Sequence, residues 1–299
     1  MLSEILYKTT NTRLPIYMWN KISESAKLNR LPSDADLHNK KVLTMIACHT
    51  DTLTKVKTII NNIIKLSFSN NKIVVVNSSD TIYGGHLKNL MNRLFPAIEL
   101  FEIPNTSSLD IGKCVFYLDN HYRNTHDYLV FTNDSYYLTA PVYHFYKLMV
   151  RSRTQLYGYN DSSQTDKYHY QSYLYGVRSD AVHILVNHYR DMLPLLTGYM
   201  EVVYHIELKL CDIFSSKDCV LKIAHLPGHQ GRNVFFDNDN LYTLLHKSGV
   251  LPIVKLKRGA IPYTAPQPLH KPGGKVECTS LAHYKTSGAK LPSSSANHA

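Results

Sequence analysis

The sequence predicts an α/β fold with an open, mostly parallel twisted sheet flanked by helices. Two buried-type strands, Val42–His49 and Lys72–Ser79 (KIVVVNSS), enclose an amphipathic helix over Asp51–Leu66. Strands and helices go on alternating beyond them, the pattern of βαβ units in a parallel sheet. Finally, hydrophobic residues make up 44% of 299 residues, enough for a sizeable core.

Residues 1–40 are polar and mixed and read as an N-terminal extension with one short helix. The Asp51–Leu66 helix carries Leu53, Val56, Ile60, Ile63 and Ile64 on one stripe, with Asp51 or Thr52 as N-cap. Gly84-Gly85 breaks the chain before a helix bearing Leu87, Leu90, Met91, Leu94 and Phe95. Ile98–Ile103, Asp127–Asp134, Gln155–Asn160 and Tyr173–Arg178 supply four further strands. Residues 199–214 read as one helix with Val203, Ile206, Leu210 and Phe214 at helical spacing. Glu207 falls inside that stripe, and a carboxylate on a buried face is costly unless it is paired or used. It is either a structural salt bridge or cap, or it points into a site. The globular domain spans 41–260. Residues 261–299 are Pro-, Ser-, Gly- and Lys-rich without periodicity, a tail expected to be disordered.

The formal charge of +10 is uneven: seven Lys/Arg and one Glu follow from Lys255 onward, leaving only +4 for residues 1–254. A basic tail of this kind is most often simply solvated, which ranks nucleic-acid binding last. Five scattered cysteines without a CxxC argue against a disulfide framework or zinc cluster and fit a reducing compartment such as cytoplasm. The N-terminus lacks the apolar region of a secretory signal, and no apolar run approaches the ~18 residues of a membrane span. A soluble or peripheral protein is expected.

No Walker A, GxGxxG, GxSxG or HExxH pattern occurs. Polar clusters instead close the predicted strands: Cys48-His49-Thr50-Asp51, Asn77-Ser78-Ser79-Asp80, Asn133-Asp134-Ser135 and Asn160-Asp161. One such cluster is ordinarily a turn. Four on one edge of a sheet suggest a ligand-binding rim, because open α/β sheets bind ligands beyond the carboxyl ends of their strands. Asp134 is the leading candidate, able to hold a divalent cation or a sugar hydroxyl. His225 and His229 in His-Leu-Pro-Gly-His have a spacing open to metal binding, with exposed loop histidines as the plain alternative.

In order along the chain, several segments resemble the rhamnan-synthesis F family of glycosyltransferases of bacterial and viral polysaccharide assembly. They are VVVNSSD (Val74–Asp80), LDIGK (Leu109–Lys113), LVFTNDSYYLTAP (Leu129–Pro141), QLYGYND with YHYQSYLYGVRS (Gln155–Asp161, Tyr168–Ser179), VVYHIELKLCDIF (Val202–Phe214) and NLYTLLHKSGVLPIVKLKRG (Asn240–Gly259). Together they span about residues 42–259. The family's tryptophan before Gly158 is Tyr157 here, and Leu138-Thr139-Ala140 replaces a glycine expected soon after Ser135. Both departures bear on sugar or acceptor specificity.

The resemblance implies a Rossmann-type GT-A-like domain and an inverting transfer from a nucleoside-diphosphate sugar to a glycan or glycoprotein acceptor. The sugar would be rhamnose or another deoxyhexose or pentose. Asp134 would bind Mn²⁺ or Mg²⁺, or the donor, with Asn133 and Ser135 in support. A cation-free version would place Lys113 or Lys255 near the phosphates. His49, Thr50 and Asp80 would line the nucleoside pocket, and Asp110 and Gln171, within matched segments, would join the donor set. Glu207 is the first candidate for general base and Asp161 the second. The competing readings are a non-catalytic nucleotide-sugar or carbohydrate binder of the same fold and, last, a nucleic-acid binder.

Overall fold

The structure, a computed structural model, describes residues 35–162, 169–215, 221–222, 246 and 251–256. It opens with α1 (Ala35–His38), β1 (Val42–His49), α2 (Leu53–Leu66), β2 (Asn71–Ser78), α3 (Ile82–Leu94) and β3 (Glu99–Glu102). Then come α4 (Leu109–Asn120), β4 (Tyr128–Asn133), β5 (Tyr136–Leu138), α5 (Tyr143–Ser152) and β6 (Leu156–Gly158). A small hairpin, β7 (Asp161–Ser162) with β8 (His169–Tyr170), leads into β9 (Leu174–Arg178). After it come α6 (Val182–Met192), α7 (Tyr199–His205), α8 (Leu210–Ser215), β10 (Leu221–Lys222) and β11 (Ile253–Lys255).

The main sheet has seven strands in the order β10-β6-β9-β4-β1-β2-β3. All pairings are parallel except those of β9, which runs antiparallel to both β4 and β6. The chain is thus an α/β protein with a mostly parallel sheet flanked by helices. Simple βαβ reading misses the reversal of Tyr173–Arg178. Among the described residues no crossover helix lies between β6 and β9, and without one the return strand runs antiparallel.

One core layer packs α1, α2, α3 and α5 on the sheet through Leu37, Val56, Ile59, Ile63, Leu87, Met91, Phe145 and Met149. The other packs α4, α6 and α8 on the opposite face through Ile111, Val115, Leu118, Leu185, Tyr189 and Phe214. Leu37 of α1 is buried in the first layer, and Asp127 ties the amino ends of β1 and β4 together by accepting from Lys41 N and Lys40 Nζ. Burial holds the cysteine thiols down as acids: those of Cys48 and Cys114 are both pushed well up.

Several local expectations are corrected. The buried stripe of α2 is Val56, Ile59, Ile63 and Leu66, whereas Leu53 and Ile64 are exposed. The side chains of α2 pack under a Tyr-rich layer that recruits Asn62 as well. Its amide donates to Tyr136 O and accepts from Leu138 N, so the helix turns its Asn62 edge inward. Thr52, not Asp51, is the N-cap, and its hydroxyl accepts from Lys55 N. Gly84-Gly85 lies inside α3 rather than before it, and Thr81 caps the helix. Gly84 is needed there because a Cβ would come within 2.8 Å of Ser79 Cβ. Residues 199–214 form no single helix: α7 ends at His205, a 3₁₀ turn holds Glu207–Lys209, and α8 begins at Leu210.

Candidate functional site

The strand order turns at β1: β2 and β3 lie on one side of it, β4 and β9 on the other. This is a topological switch point, where loops leave in opposite directions and open a crevice at the carboxyl edge. Register aligns the ends there. His49 pairs with Ser78 and Ala47 with Asn133, so Asp134 emerges beside Cys48 and His49.

Asp134 is largely buried, and its Oδ2 accepts from His49 N at 2.9 Å and lies 3.6 Å from Lys55 Nζ. Lys55 also faces Asp51, at 3.5 Å. Sequence reasoning did not single out Lys55. The signal for it was present: a lysine in the first turn of a helix opposes the helix dipole and calls for a nearby anion.

Asn133 points to the opposite face, as strand alternation requires. Its Nδ2 donates to Asp110 Oδ2 at 3.0 Å, and its Oδ1 accepts from Ser135 N at 3.1 Å and from Ser135 Oγ at 2.7 Å. Asp110 sits in the first turn of α4, with Lys113 Nζ 3.7 Å away. The Lys113 side chain is only 3% exposed and donates to Leu109 O, while Asp110 keeps 35% exposure, so the carboxylate forms the accessible lid over a buried ammonium. Partial desolvation raises the Asp110 carboxyl to about 6, opposed by Lys113 and reinforced by the charge of Asp134.

A second group lies at the same edge, because antiparallel β9 begins where β4 ends: Leu174 pairs with Thr132, and Thr132 Oγ1 donates to Tyr173 O. Glu207 Oε2 accepts from Ser172 N at 3.1 Å and Ser172 Oγ at 2.5 Å; Oε1 accepts from Gln171 Nε2 at 3.4 Å and lies 3.7 Å from His169 Nε2. Its side chain retains 19% exposure. Ser172 and His169 were invisible as site residues, since only the fold carries the 169–172 segment to the 3₁₀ turn. Lys255 arrives on β11, which pairs with β5. Its Nζ donates to Ser135 Oγ at 3.3 Å and stands 3.8 Å above the Tyr173 ring centroid.

The remaining candidates divide. His49 Nδ1 is 3.0 Å from Ser78 Oγ, at the rim. The Thr50 hydroxyl is wholly buried and donates to Asn77 Oδ1, which locks the β1 and β2 ends to each other. Asp80 is exposed past the end of β2, and Asp161 is buried in the β7–β8 hairpin. Asn160 closes β6 at the same edge and accepts from Gln171 N through its carbonyl. His225 and His229 lie outside the described residues. Among the described residues no three His, Cys, Asp or Glu side chains converge as a metal site. No described helix is long and apolar enough to cross a membrane.

No protein-family profile matches the chain, and no curated protein matches it. Among solved structures it is similar to S. aureus TarS, at 12% identity and a TM-score of 0.32, covering 41% of this chain and 21% of that one. It is likewise similar to S. aureus TarS 1-349 in complex with UDP (11% identity, TM-score 0.33, 41% of this chain and 35% of that one). A third match is the 4-diphosphocytidyl-2C-methyl-D-erythritol synthase of Anaerococcus prevotii (10% identity, TM-score 0.42), over 70% of this chain and 97% of that one. The chain thus spans about a fifth of the TarS chain it matches. At these values the likenesses assign no activity to this chain.

Proposed function

We propose that this chain is a glycosyltransferase that uses a nucleoside-diphosphate sugar, with its donor site in the crevice between β1 and β4. One observation carries the reading: Asp134 and Asp110 flank the end of β4, each facing a lysine, Lys55 and Lys113. As the bond between the sugar and the diphosphate breaks, negative charge grows on the leaving oxygens and must be neutralised by groups already in place. Lys55, Lys113 and Lys255 supply positive charge at that edge. Asp134 Oδ1 makes no bond among the described residues, so this carboxylate retains an oxygen for Mn²⁺ or Mg²⁺. Such cations are commonly held by one or two carboxylates together with substrate phosphates. When bound there, the cation would act as a Lewis acid on the diphosphate.

Glu207 is the general base in this reading. Ser172 and Gln171 orient its carboxylate, which remains partly open to receive the proton of an acceptor hydroxyl. The acceptor oxygen bonds to the anomeric carbon as the diphosphate departs, and Glu207 takes the proton. The motif resemblance supports rhamnose or a related deoxyhexose or pentose as the sugar and a glycan or glycoprotein as acceptor. The commitment of Glu207 to Ser172 and Gln171 also favours a second reading, in which Glu207 is a tether and the chain binds nucleotide sugars without turning them over.

The test is a thermal-shift panel of UDP-, GDP- and dTDP-sugars with and without Mn²⁺, followed by nucleoside-diphosphate release. At a hundredfold excess over Kd, a true donor stabilises by about 2.7 kcal/mol. Asp134→Asn and Lys55→Ala should each lower release by about a hundredfold, the usual scale for a lost charge-stabilising group. A panel without any shift overturns the proposal. A shift without turnover selects the binding reading.

A further inference from the structure

Of the nine large apolar side chains exposed among the described residues, four lie together in one short stretch of chain. Leu195, Tyr199, Met200 and Tyr204 are 49%, 62%, 49% and 56% exposed, all within or just before α7. Met200 and Tyr204 are one turn apart and Tyr199 adjoins them, so they share a face, while Val202 packs inward against the core. Contiguous exposed apolar surface on a soluble domain marks a binding surface. This one continues directly into the 3₁₀ turn bearing Glu207. Partial burial of the Tyr199 phenol, and after it the charge of Glu207, push its pKa up.

We propose that the outer face of α7 is the platform on which a neutral glycan acceptor lies while presenting a hydroxyl to Glu207. Tyrosine offers a flat apolar face with a hydroxyl at its edge, which matches the C–H faces and hydroxyls of a sugar ring. Charge decides against the other occupants of an aromatic patch. Leu193–Lys209 carries Glu201 and Glu207 against a single lysine, Lys209, whereas anionic membranes and nucleic acids demand clusters of basic residues beside the apolar ones. A seven-residue helix is about 10 Å long. That is too short to supply the roughly 800 Å² per partner of a stable protein interface. The inference rests on the transfer reading, in which Glu207 is the base.

The probes are methyl glycosides of glucose, galactose, mannose, rhamnose and xylose, followed by saturation-transfer NMR on the full chain. At least one should receive saturation from tyrosine protons, and that signal should fall at least fivefold in Tyr199→Ala/Tyr204→Ala. Tyr199→Phe/Tyr204→Phe, which keeps both rings, should retain most of it. An unchanged melting temperature shows that the alanine variant is folded. No glycoside signal, or one that survives the alanine pair, overturns the proposal. So does alanine-sensitive co-sedimentation with phosphatidylglycerol vesicles, or an alanine-sensitive dimer. The nucleotide-sugar melting panel reports separately. A panel without any shift alongside α7-dependent glycoside binding removes the transferase and leaves the platform; the converse removes only the platform.

Discussion

Gly158→Ala tests how the sheet carries Glu207. A Cβ at Gly158 would lie 2.5, 2.7 and 2.9 Å from Cγ, Cδ1 and Cδ2 of Tyr170. Ordinary carbon contacts are about 3.5–4.0 Å, so the ring must retreat by about 1 Å. Tyr170 is 1% exposed, and a planar ring inside a packed layer has no free rotation by which to yield. Overpacking of this kind costs about 1–3 kcal/mol. Against it stands the reduced entropy of the unfolded chain, which favours alanine by about 0.4–1 kcal/mol. The net loss is centred at about 1.3 kcal/mol, or about 3–5 °C in Tm for a domain of this size. Tyr170 precedes Gln171 and Ser172, which hold Glu207, so donor turnover should fall further than the stability loss explains. The assay is a double-mutant cycle with Tyr170→Ala by denaturant unfolding, where removing the ring should recover at least about 1 kcal/mol of the glycine penalty. A cost that persists without the ring, or a Gly158→Ala loss below about 0.5 kcal/mol, refutes the argument.

Ile63→Ala, at a wholly buried position of α2, should cost about 2–5 kcal/mol in chemical denaturation, whereas Ile64→Ala, 53% exposed, should stay within about 0.5 kcal/mol. Gly85→Ala should stabilise by about 0.5–1 kcal/mol in the same assay, since nothing lies within 4 Å of the new Cβ inside α3; Gly84→Ala, 2.8 Å from Ser79 Cβ, should not. The Asp110 carboxyl should titrate near pH 6 in carboxyl ¹³C NMR. Because its folded-state pKa is raised, its contribution to stability is fully present below the unfolded value of 3.8 and is lost as pH rises through about 6. Titration near 3.8 would refute this expectation.

Much of the sheet was legible because period and punctuation are local. Val42–His49 agrees residue for residue, and the β2, β3, β4 and β9 boundaries fall within two residues of expectation. The α2 stripe was rotated because its apolar residues form a broad arc, with Leu53 and Ile64 at one edge and Ile59 and Leu66 at the other, and only the neighbouring layer selects which edge is covered. Glu207 was conspicuous as a charge among apolar residues, but the break that frees it from the helix was not. That break answers to Ser172 and Gln171, thirty-odd residues earlier in the chain.

Sequence by itself determined the α/β class, the strand-end polar clusters and the standing of Asp134 and Glu207 as the chain's conspicuous carboxylates, since each follows from short-range spacing. Tertiary structure alone decided that Lys55 answers Asp134, that Asp110 sits over buried Lys113 beside Asn133, and that Lys255 reaches Ser135 from far along the chain. Those pairings depend on strand order and register. Both are set by how whole faces are buried together, a quantity that no local pattern contains.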